Sequence, residues 1–359
     1  PLEIALLFIF YEFFGVVTNL VGGYLGARMG LNRTMNIGLF LQIAALAMLA
    51  VPAAMLTVPW VMAAQAISGI AKDLNKMSAK SGIKLLVPDE QQGTLYKWVA
   101  ILTGSKNTLK GVGFFLGGVL LMAAGFQGAV VIMAVALSVV WLVSLFLLGQ
   151  DLGKSKAKPK FREILSKSRA INVLSAARMF LFGARDVWFV VSDLVYLHTV
   201  FGWDFWKVGG FMATWVIGYG FIQTLAPRIT GNMEGRQPAM IWAAALALIP
   251  AGIAVGLMVG WSPQFVVIGG LLLFGVLFAI NSSLHSYLIV SYARGDGVSL
   301  DVGFYYMSNA AGRLLGTILS GWVYQAYGLQ ACLWISAGLV AAAAILSMFL
   351  PEKRPVPAT

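Results

Sequence analysis

Residues 110–125 read KGVGFFLGGVLLMAAG, and residues 313–328 read RLLGTILSGWVYQAYG. With an offset of 203 residues, Lys110 falls on Arg313, Gly113 on Gly316, Gly118 on Gly321 and Gly125 on Gly328. Farther back, Gly15 falls on Gly218 at the same offset. Small residues let apolar helices approach closely, and packing alone accounts for matched glycines. A matched cation within an apolar run needs another reason. A charge at mid-membrane costs about 2.5–3.5 kcal/mol on insertion scales. The pair therefore points to two copies of one helical unit, each carrying a cation at a position that serves a purpose.

The surrounding composition places these helices in a membrane. Hydrophobic residues make up 59 % of the 359 residues and charged residues 11 %. Soluble domains hold about 45–50 % and about 25 %. A soluble enzyme, a disordered chain and a disulfide scaffold are all excluded. The balance is basic, with Lys+Arg 25 against Asp+Glu 14 and a net charge of +11. A basic chain suggests a polyanionic partner. Here the basic residues sit inside membrane-grade sequence, which excludes nucleic acid. Cys332 is the lone cysteine, and His198 and His285 are too few and too far apart for a metal site. No cofactor is expected.

Breaks at Gly, Pro and charge clusters give eleven candidate spans of about 20 residues or more. They cover 4–25, 35–55, 58–83, 94–123, 127–148, 170–197, 207–229, 238–259, 264–291, 301–324 and 330–350. Lysine and arginine segregate to one side: Arg28, Arg33, Lys84, Lys97, the cluster Lys154 to Arg169, Arg228, Arg236, Arg294, Lys353 and Arg354. That side is expected to be cytoplasmic, with the C-terminus on it. Lys207 stands nearly alone on the other side. The chain opens on an apolar run at Pro1 without a signal-peptide pattern, and a span before it is expected. The expected organisation is a helix bundle over 1–149, a basic cytoplasmic linker over 150–168 that enforces topology or touches anionic lipid, and a second bundle over 169–359.

Charges inside the spans are the functional signal. Lys72, Lys76, Lys80 and Lys84 recur every four residues and span a 120° arc that also holds Asp73. Lys80 and Lys84 are near the cytoplasmic end, where snorkelling to the headgroups is expected. On the next span Lys106 and Lys110 share a face with Thr103 and Gly113. On the span after the linker, Arg178, Arg185, Asp186, Asp193 and Tyr196 share another, and Arg313 shares one with Asn309. Eight intramembrane cations face four acids, Glu12, Asp73, Asp186 and Asp193. Such an excess cannot stay unpaired in low dielectric, and a small polyanion passing through would compensate it. The expected substrate-binding residues are Lys72, Lys76, Lys106, Lys110, Arg178, Arg185 and Arg313. Asn281 joins them from the polar cluster Asn281, Ser282, Ser283, His285 and Tyr287. Glu12, Asp73, Asp186 and Asp193 are proton-coupling candidates, although each also serves as an ordinary ion-pair partner.

The stretch Gly23-Tyr-Leu-Gly-Ala-Arg28-Met-Gly30-Leu-Asn-Arg33 resembles the major facilitator signature Gly-x-Leu-x-Asp-Arg-x-Gly-x-x-Arg between that superfamily's second and third helices. Ala27 replaces the signature Asp. Gly23, Arg28, Gly30 and Arg33 are thereby expected to form a conformational gate. The resemblance implies an all-α integral membrane protein of two pseudo-symmetric bundles, with eleven spans present of an expected twelve. Parallel repeats about an axis along the membrane normal fit it. A finer resemblance rests on longer strings. Tyr11-Glu-Phe-Phe-Gly-Val-Val-Thr-Asn-Leu-Val-Gly-Gly23, Ser68-Gly-Ile-Ala-Lys-Asp-Leu-Asn-Lys-Met-Ser-Ala-Lys80, Thr103-Gly-Ser-Lys-Asn107 and Ala184-Arg-Asp-Val-Trp-Phe189 are similar to the organoarsenical efflux permeases (ArsJ family). That resemblance implies proton-coupled export of 1-arseno-3-phosphoglycerate and resistance to arsenate. It also implies functional coupling to a glyceraldehyde-3-phosphate dehydrogenase, a place in the bacterial inner membrane and a monomer. The alternative is a permease for another organophosphate or organic anion with the same cavity. No nucleophile–base pair, metal cluster or phosphate loop points to an enzyme, and no loop is long enough for a sensor's output domain.

Overall fold

The computed structural model describes residues 2–149, 152–156, 165, 167–189, 192–231 and 235–352; side chains of 2–11 and of Phe205 are not described. Among these residues the chain is α-helical apart from turns and one short 3-10 segment, Ala53–Met55. The helices are α1 (Leu2–Met29), α2 (Leu31–Leu49), α3 (Val58–Leu86), α4 (Gln92–Leu147), α5 (Arg169–Phe189), α6 (Ser192–Thr199), α7 (Phe205–Thr230), α8 (Arg236–Met258), α9 (Pro263–Tyr292) and α10 (Val298–Ser347). In hydrocarbon a helix satisfies its backbone polar groups within itself, and a chain this apolar has no other open solution.

Two helices are too long to be single spans. α4 has 56 residues and α10 has 50. At about 1.5 Å per residue each would be more than twice as long as the roughly 30 Å hydrocarbon core. Each is a hairpin of two limbs folded at a glycine. Gly125 has φ 66 and ψ 179, and Gly328 has φ 77 and ψ −176. These are the glycines that match in the sequence repeat, and they share one left-handed backbone conformation that side chains rarely adopt. Five helices are long and apolar enough to cross a membrane by composition: α4, α8, α9, α10 and 206–230 of α7. The remaining long helices include α3 and α5, which carry the charges discussed below.

The outer surface is apolar. Met122, Phe146 and Phe265 are among many large hydrophobic side chains left exposed. This surface matches lipid and not water. The chain is a multi-pass membrane protein.

Glycines set the contacts between helices. α1 crosses the first limb of α10, where a Cβ on Gly23 would stand 2.6 Å from the Ser299 carbonyl oxygen and 3.0 Å from Gly303 Cα. Ser299 Oγ donates to the Gly23 carbonyl at 2.9 Å. The first limb of α4 crosses α7 in the same manner. There Gly220 lies against the backbone of Gly104 and Thr108, and Asn107 Nδ2 donates to Gln223 Oε1 at 2.6 Å. The 203-residue offset carries α1 onto α7 and the first limb of α4 onto that of α10. The two crossings are counterparts.

At one end the helices close together. Tyr96 of α4 stacks on Tyr287 of α9 with ring centroids 4.6 Å apart. Gln92 Oε1 accepts from Tyr287 at 3.1 Å and from Ser291 at 3.0 Å. Lys84 Nζ reaches Asp89 at 2.8 Å and the Ser291 carbonyl at 3.4 Å. Lys84 is 5 % exposed and Lys80 is 4 %. Neither snorkels outward, contrary to the expectation from their position: Lys84 is bonded at the closed end, and Lys80 lies against the Tyr306 ring.

Candidate functional site

α1, α3, α4, α5 and α10 bring their charges to one cleft above that closed end. On α3, Lys76 Nζ pairs with Asp73 Oδ1 at 2.7 Å, one turn back on the same helix. The same ammonium lies 4.3 Å from the centroid of the Tyr306 ring of α10. On α4, Lys106 lies within electrostatic reach of Lys72, Lys76, Asp73 and Lys110. Lys110 in turn feels Arg313, Arg185, Asp186 and Glu12. Both α4 lysines are exposed, with charges of α1, α3, α5 and α10 around them. Among the described residues neither forms an ion pair or hydrogen bond.

The arginines are held differently. Arg313 of α10 bonds through Nη2 to Glu12 of α1, and through Nε to Asp186 Oδ2 of α5 at 3.3 Å. Arg185 Nε shares the other oxygen of Asp186. One buried carboxylate thus binds two guanidiniums, and a second carboxylate from α1 completes the cluster. Arg178 Nε donates to Asn309 Oδ1 at 2.8 Å and its Nη1 to the Ser282 carbonyl at 3.2 Å. Its guanidinium carbon stands 3.9 Å from the Phe182 ring centroid, and that of Arg185 stands 4.8 Å from the same ring. Cation–π contact of this kind stabilises a desolvated guanidinium by up to about 2 kcal/mol.

The expected binding residues Lys72, Lys76, Lys106, Lys110, Arg178, Arg185 and Arg313 therefore gather at one place, with Glu12, Asp73 and Asp186 among them. Two expected members do not join. Asp193 is fully buried on α6, and among the described residues both its carboxylate oxygens lack a hydrogen-bond partner and no charged group acts on it. One continuous helix over 170–197 would put it on the face of Arg185. α5 instead ends at Phe189 and α6 begins at Ser192, which breaks that phase relation. Asn281 spends its amide on the Trp242 carbonyl of α8 at 2.8 Å and on Leu277 at 2.9 Å. It packs α9 on α8, and its Oδ1 has no hydrogen-bond partner among the described residues. The polar run around it wraps the helix at 100° per residue, and Ser282 meets Arg178, through its carbonyl.

The side chains that sequence reasoning passed over are Tyr305, Tyr306 and Phe182. They separate and stack the cations. The signal available was their helical spacing from Asn309 and Arg178, which looks the same for an ordinary apolar core. Cys332 is buried, and its sulfur lies 3.5 Å from Ser192 Oγ. His198 Nδ1 meets the Trp203 carbonyl at 2.8 Å. Two surface grooves, one at Ile253 and Phe265 and one at Ser78 and Gly82, hold none of the cleft charges.

The expected gate motif lies at the α1–α2 turn. Gly30, with φ 98, starts α2. Arg28 Nη1 donates to the Tyr24 hydroxyl at 2.7 Å. Gly23 forms the α10 crossing, and Arg33 lies on the first turn of α2. The fully buried Ala27 occupies the signature Asp position, and its carbonyl accepts from the Ser155 amide at 2.8 Å. The adjacent Lys156 amide donates to Asp296 Oδ1 at 3.1 Å. Residues 152–156 thus strap the α1–α2 turn to the α9–α10 turn. Lys158, Lys160 and Arg162 of the basic linker lie outside the described residues.

Comparison with solved structures finds the same fold in several membrane proteins. The human organic anion transporter MFSD10 (TETRAN) superposes with a TM-score of 0.77 at 19 % identity, covering 94 % of this chain and 83 % of that one. The proton:xylose symporter XylE gives 0.76 at 14 % identity, with 93 % and 83 % covered. The E. coli fucose:proton symporter FucP gives 0.67 at 14 % identity, with 97 % and 94 % covered. At these identities the likeness shows the fold. A comparison with curated proteins yields no match. The profile of the Major Facilitator Superfamily matches residues 1–300. A helical repeat, counterpart glycine crossings and a central charged cleft are what that match accounts for: the chain belongs to the major facilitator superfamily.

Proposed function

We propose that this transporter exports a small anionic organoarsenical, 1-arseno-3-phosphoglycerate, by alternating access and so confers resistance to arsenate. The observation that carries the anion reading is the state of Lys106 and Lys110. They are exposed among charges of α1, α3, α5 and α10, and among the described residues no carboxylate forms an ion pair with either. Two unengaged ammoniums beside a saturated arginine cluster receive an anion and repel a cation. The choice of cargo is supported by the strings around Lys72, Lys76, Lys106 and Arg185 that resemble the organoarsenical permeases. A glyceraldehyde-3-phosphate dehydrogenase supplies the cargo in this reading.

In this reading eleven spans cross the bacterial inner membrane. Two bundles, 1–149 and 169–359, are joined by the basic linker 150–168, and the C-terminus is cytoplasmic. The closed end that carries Lys84 and Arg294 then faces the cytoplasm, and the cleft faces outward. Glu12, Asp73 and Asp186 are the carboxylates through which protons couple to transport. The transporter acts as a monomer.

The test is arsenate resistance in an arsenic-sensitive bacterium carrying this gene with and without the dehydrogenase. Protection that requires both genes is the expected result. Protection by the transporter alone sinks the organoarsenical cargo. Uptake of phosphate esters into everted vesicles without any arsenic phenotype supports the second reading, a permease for another organophosphate or organic anion. The similarity to an organic anion transporter favours keeping that reading in view.

A further inference from the structure

Below the α4 lysines, toward the closed end, two more cations lie together. Lys80 of α3 is 4 % exposed and Arg178 of α5 is 3 % exposed, and each lies within electrostatic reach of the other. Both rest on one tyrosine pair. Lys80 Nζ stands 5.4 Å from the Tyr306 ring centroid and Arg178 Cζ 5.2 Å from that of Tyr305, with the two rings 5.3 Å apart. The rings stabilise cations but supply no counter-charge. The side-chain and backbone acceptors on Arg178, Asn309 Oδ1 and the Ser282 carbonyl, are neutral. Among the described residues no carboxylate pairs with either cation.

The same place holds unspent hydrogen-bonding groups. His285 of α9 is fully buried, and among the described residues neither ring nitrogen has a partner. It lies within electrostatic reach of Arg178. The Ser286 and Tyr305 hydroxyls make no bond of normal geometry. Buried polar groups are almost always bonded, and buried like charges without a counter-ion are costly. Ser286 and Tyr305 lie within reach of each other, but two cations and three groups able to donate meet here with no anionic acceptor among the described residues, which describes a site for negative charge. In its neutral form His285 donates from one nitrogen, and the hydroxyls rotate to donate.

We propose that Lys80 and Arg178, with His285, Ser286 and Tyr305 as neutral donors, form an inner anion subsite. It holds a second anionic group beneath the one on Lys106 and Lys110. This rests on the anion reading above and narrows it to a substrate with two separated acidic groups. The same chemistry also accepts a free inorganic anion, chloride or phosphate, resident under a singly charged cargo.

The experiment uses the purified protein in lipid nanodiscs in gluconate buffer. It compares the affinities of 3-phosphoglycerate, with two acidic groups, and glycerol 3-phosphate, with one. Wild type is expected to prefer the former by about tenfold, the scale of one charge-assisted contact. Lys80→Gln is expected to shrink that preference below about threefold and leave glycerol 3-phosphate affinity unchanged, with Lys80→Arg restoring it. If the occupant is inorganic, chloride or phosphate alone raises the thermal midpoint of wild type and not of Lys80→Gln. An equal preference in both proteins, with no difference in their anion-dependent midpoints, overturns the subsite. If neither ester binds wild type, the anion reading of the lysine pair fails, and the chloride and phosphate midpoints still decide the inner subsite. Where Lys80→Gln does not fold, His285→Leu is read in the same way.

Discussion

Lys110 and Arg313 occupy the same register of two repeated helices, and the fold has put them to different uses. Arg313 is bonded by Glu12 and Asp186, and its neighbour Arg185 shares Asp186. Lys110 and Lys106 meet no carboxylate among the described residues. The α5–α10 side is an ion-pair cluster braced by rings. The α3–α4 side carries Lys72, Lys76, Lys80, Lys106 and Lys110 against Asp73. The residue types suit the division. A planar guanidinium holds a shared carboxylate in fixed geometry, and a flexible ammonium follows a moving anion. Arg313, which bonds α1 to α5, is therefore distinct from Lys106 and Lys110, which are exposed without an ion pair among the described residues, although the sequence lists all three together.

The largest effect follows from removing the open charges. The double variant Lys106→Gln/Lys110→Gln is expected to lower anion binding at least about a hundredfold, since each charge-assisted contact contributes about 1.5–3 kcal/mol. Its thermal midpoint is expected to stay near wild type, because neither lysine braces the fold. Isothermal titration and a melting curve on the same preparation check both halves of that statement. Binding retained with a collapsed midpoint would reverse the assignment. On the other side, Arg313→Gln leaves Glu12 and Asp186 without that partner. Breaking a buried pair costs about 3–5 kcal/mol, and the low end applies because Arg313 edges onto the cleft. The expected readout is a lowered midpoint that a Glu12→Gln second change partly restores.

Much of this fold is legible in the sequence, and the reasons are physical. Hydrophobic runs report lipid exposure, and the glycines at 125 and 328 report a backbone conformation that side chains rarely adopt. The gathering of Lys72, Lys106, Arg185 and Arg313 was readable because charge in hydrocarbon has few places to go. What the sequence hides is pairing across helices. Glu12 and Arg313 lie 301 residues apart. Nothing in either string says that they meet while Asp193 stands alone. Helical phase also fails wherever a helix breaks, as between Phe189 and Ser192. The nearness of Lys80 to a span end points to the headgroups and says nothing about a tyrosine pair arriving from α10. Asn281 shows the converse. Its polarity suggested cargo, but its amide satisfies backbone carbonyls of α8 and α9.

The smallest predicted effect probes the boundary between the two sides. Glu12 is the carboxylate that α1 contributes to the arginine cluster, and it lies within electrostatic reach of Arg313, Asp186, Arg185 and Asp73. While ionised it competes with any anion for Arg313. Glu12→Gln removes the competitor and mimics the protonated acid. Arg313 keeps Asp186 and gains a free edge toward Lys110. Arg313 loses one of its two carboxylates and keeps the other, so the gain for an incoming anion is small, about 1 kcal/mol, and affinity is expected to rise about fivefold. The sign is fixed by competition. Protonating Glu12 favours anion binding, so wild-type affinity rises as pH falls through the range in which Glu12 titrates. In Glu12→Gln that part of the pH dependence is absent. Binding measured across pH in both proteins separates this from a structural role, which would lower affinity at every pH. If Glu12→Gln binds more weakly and keeps the wild-type pH profile, Arg313 is only a brace, and the division between holding and open cations is complete.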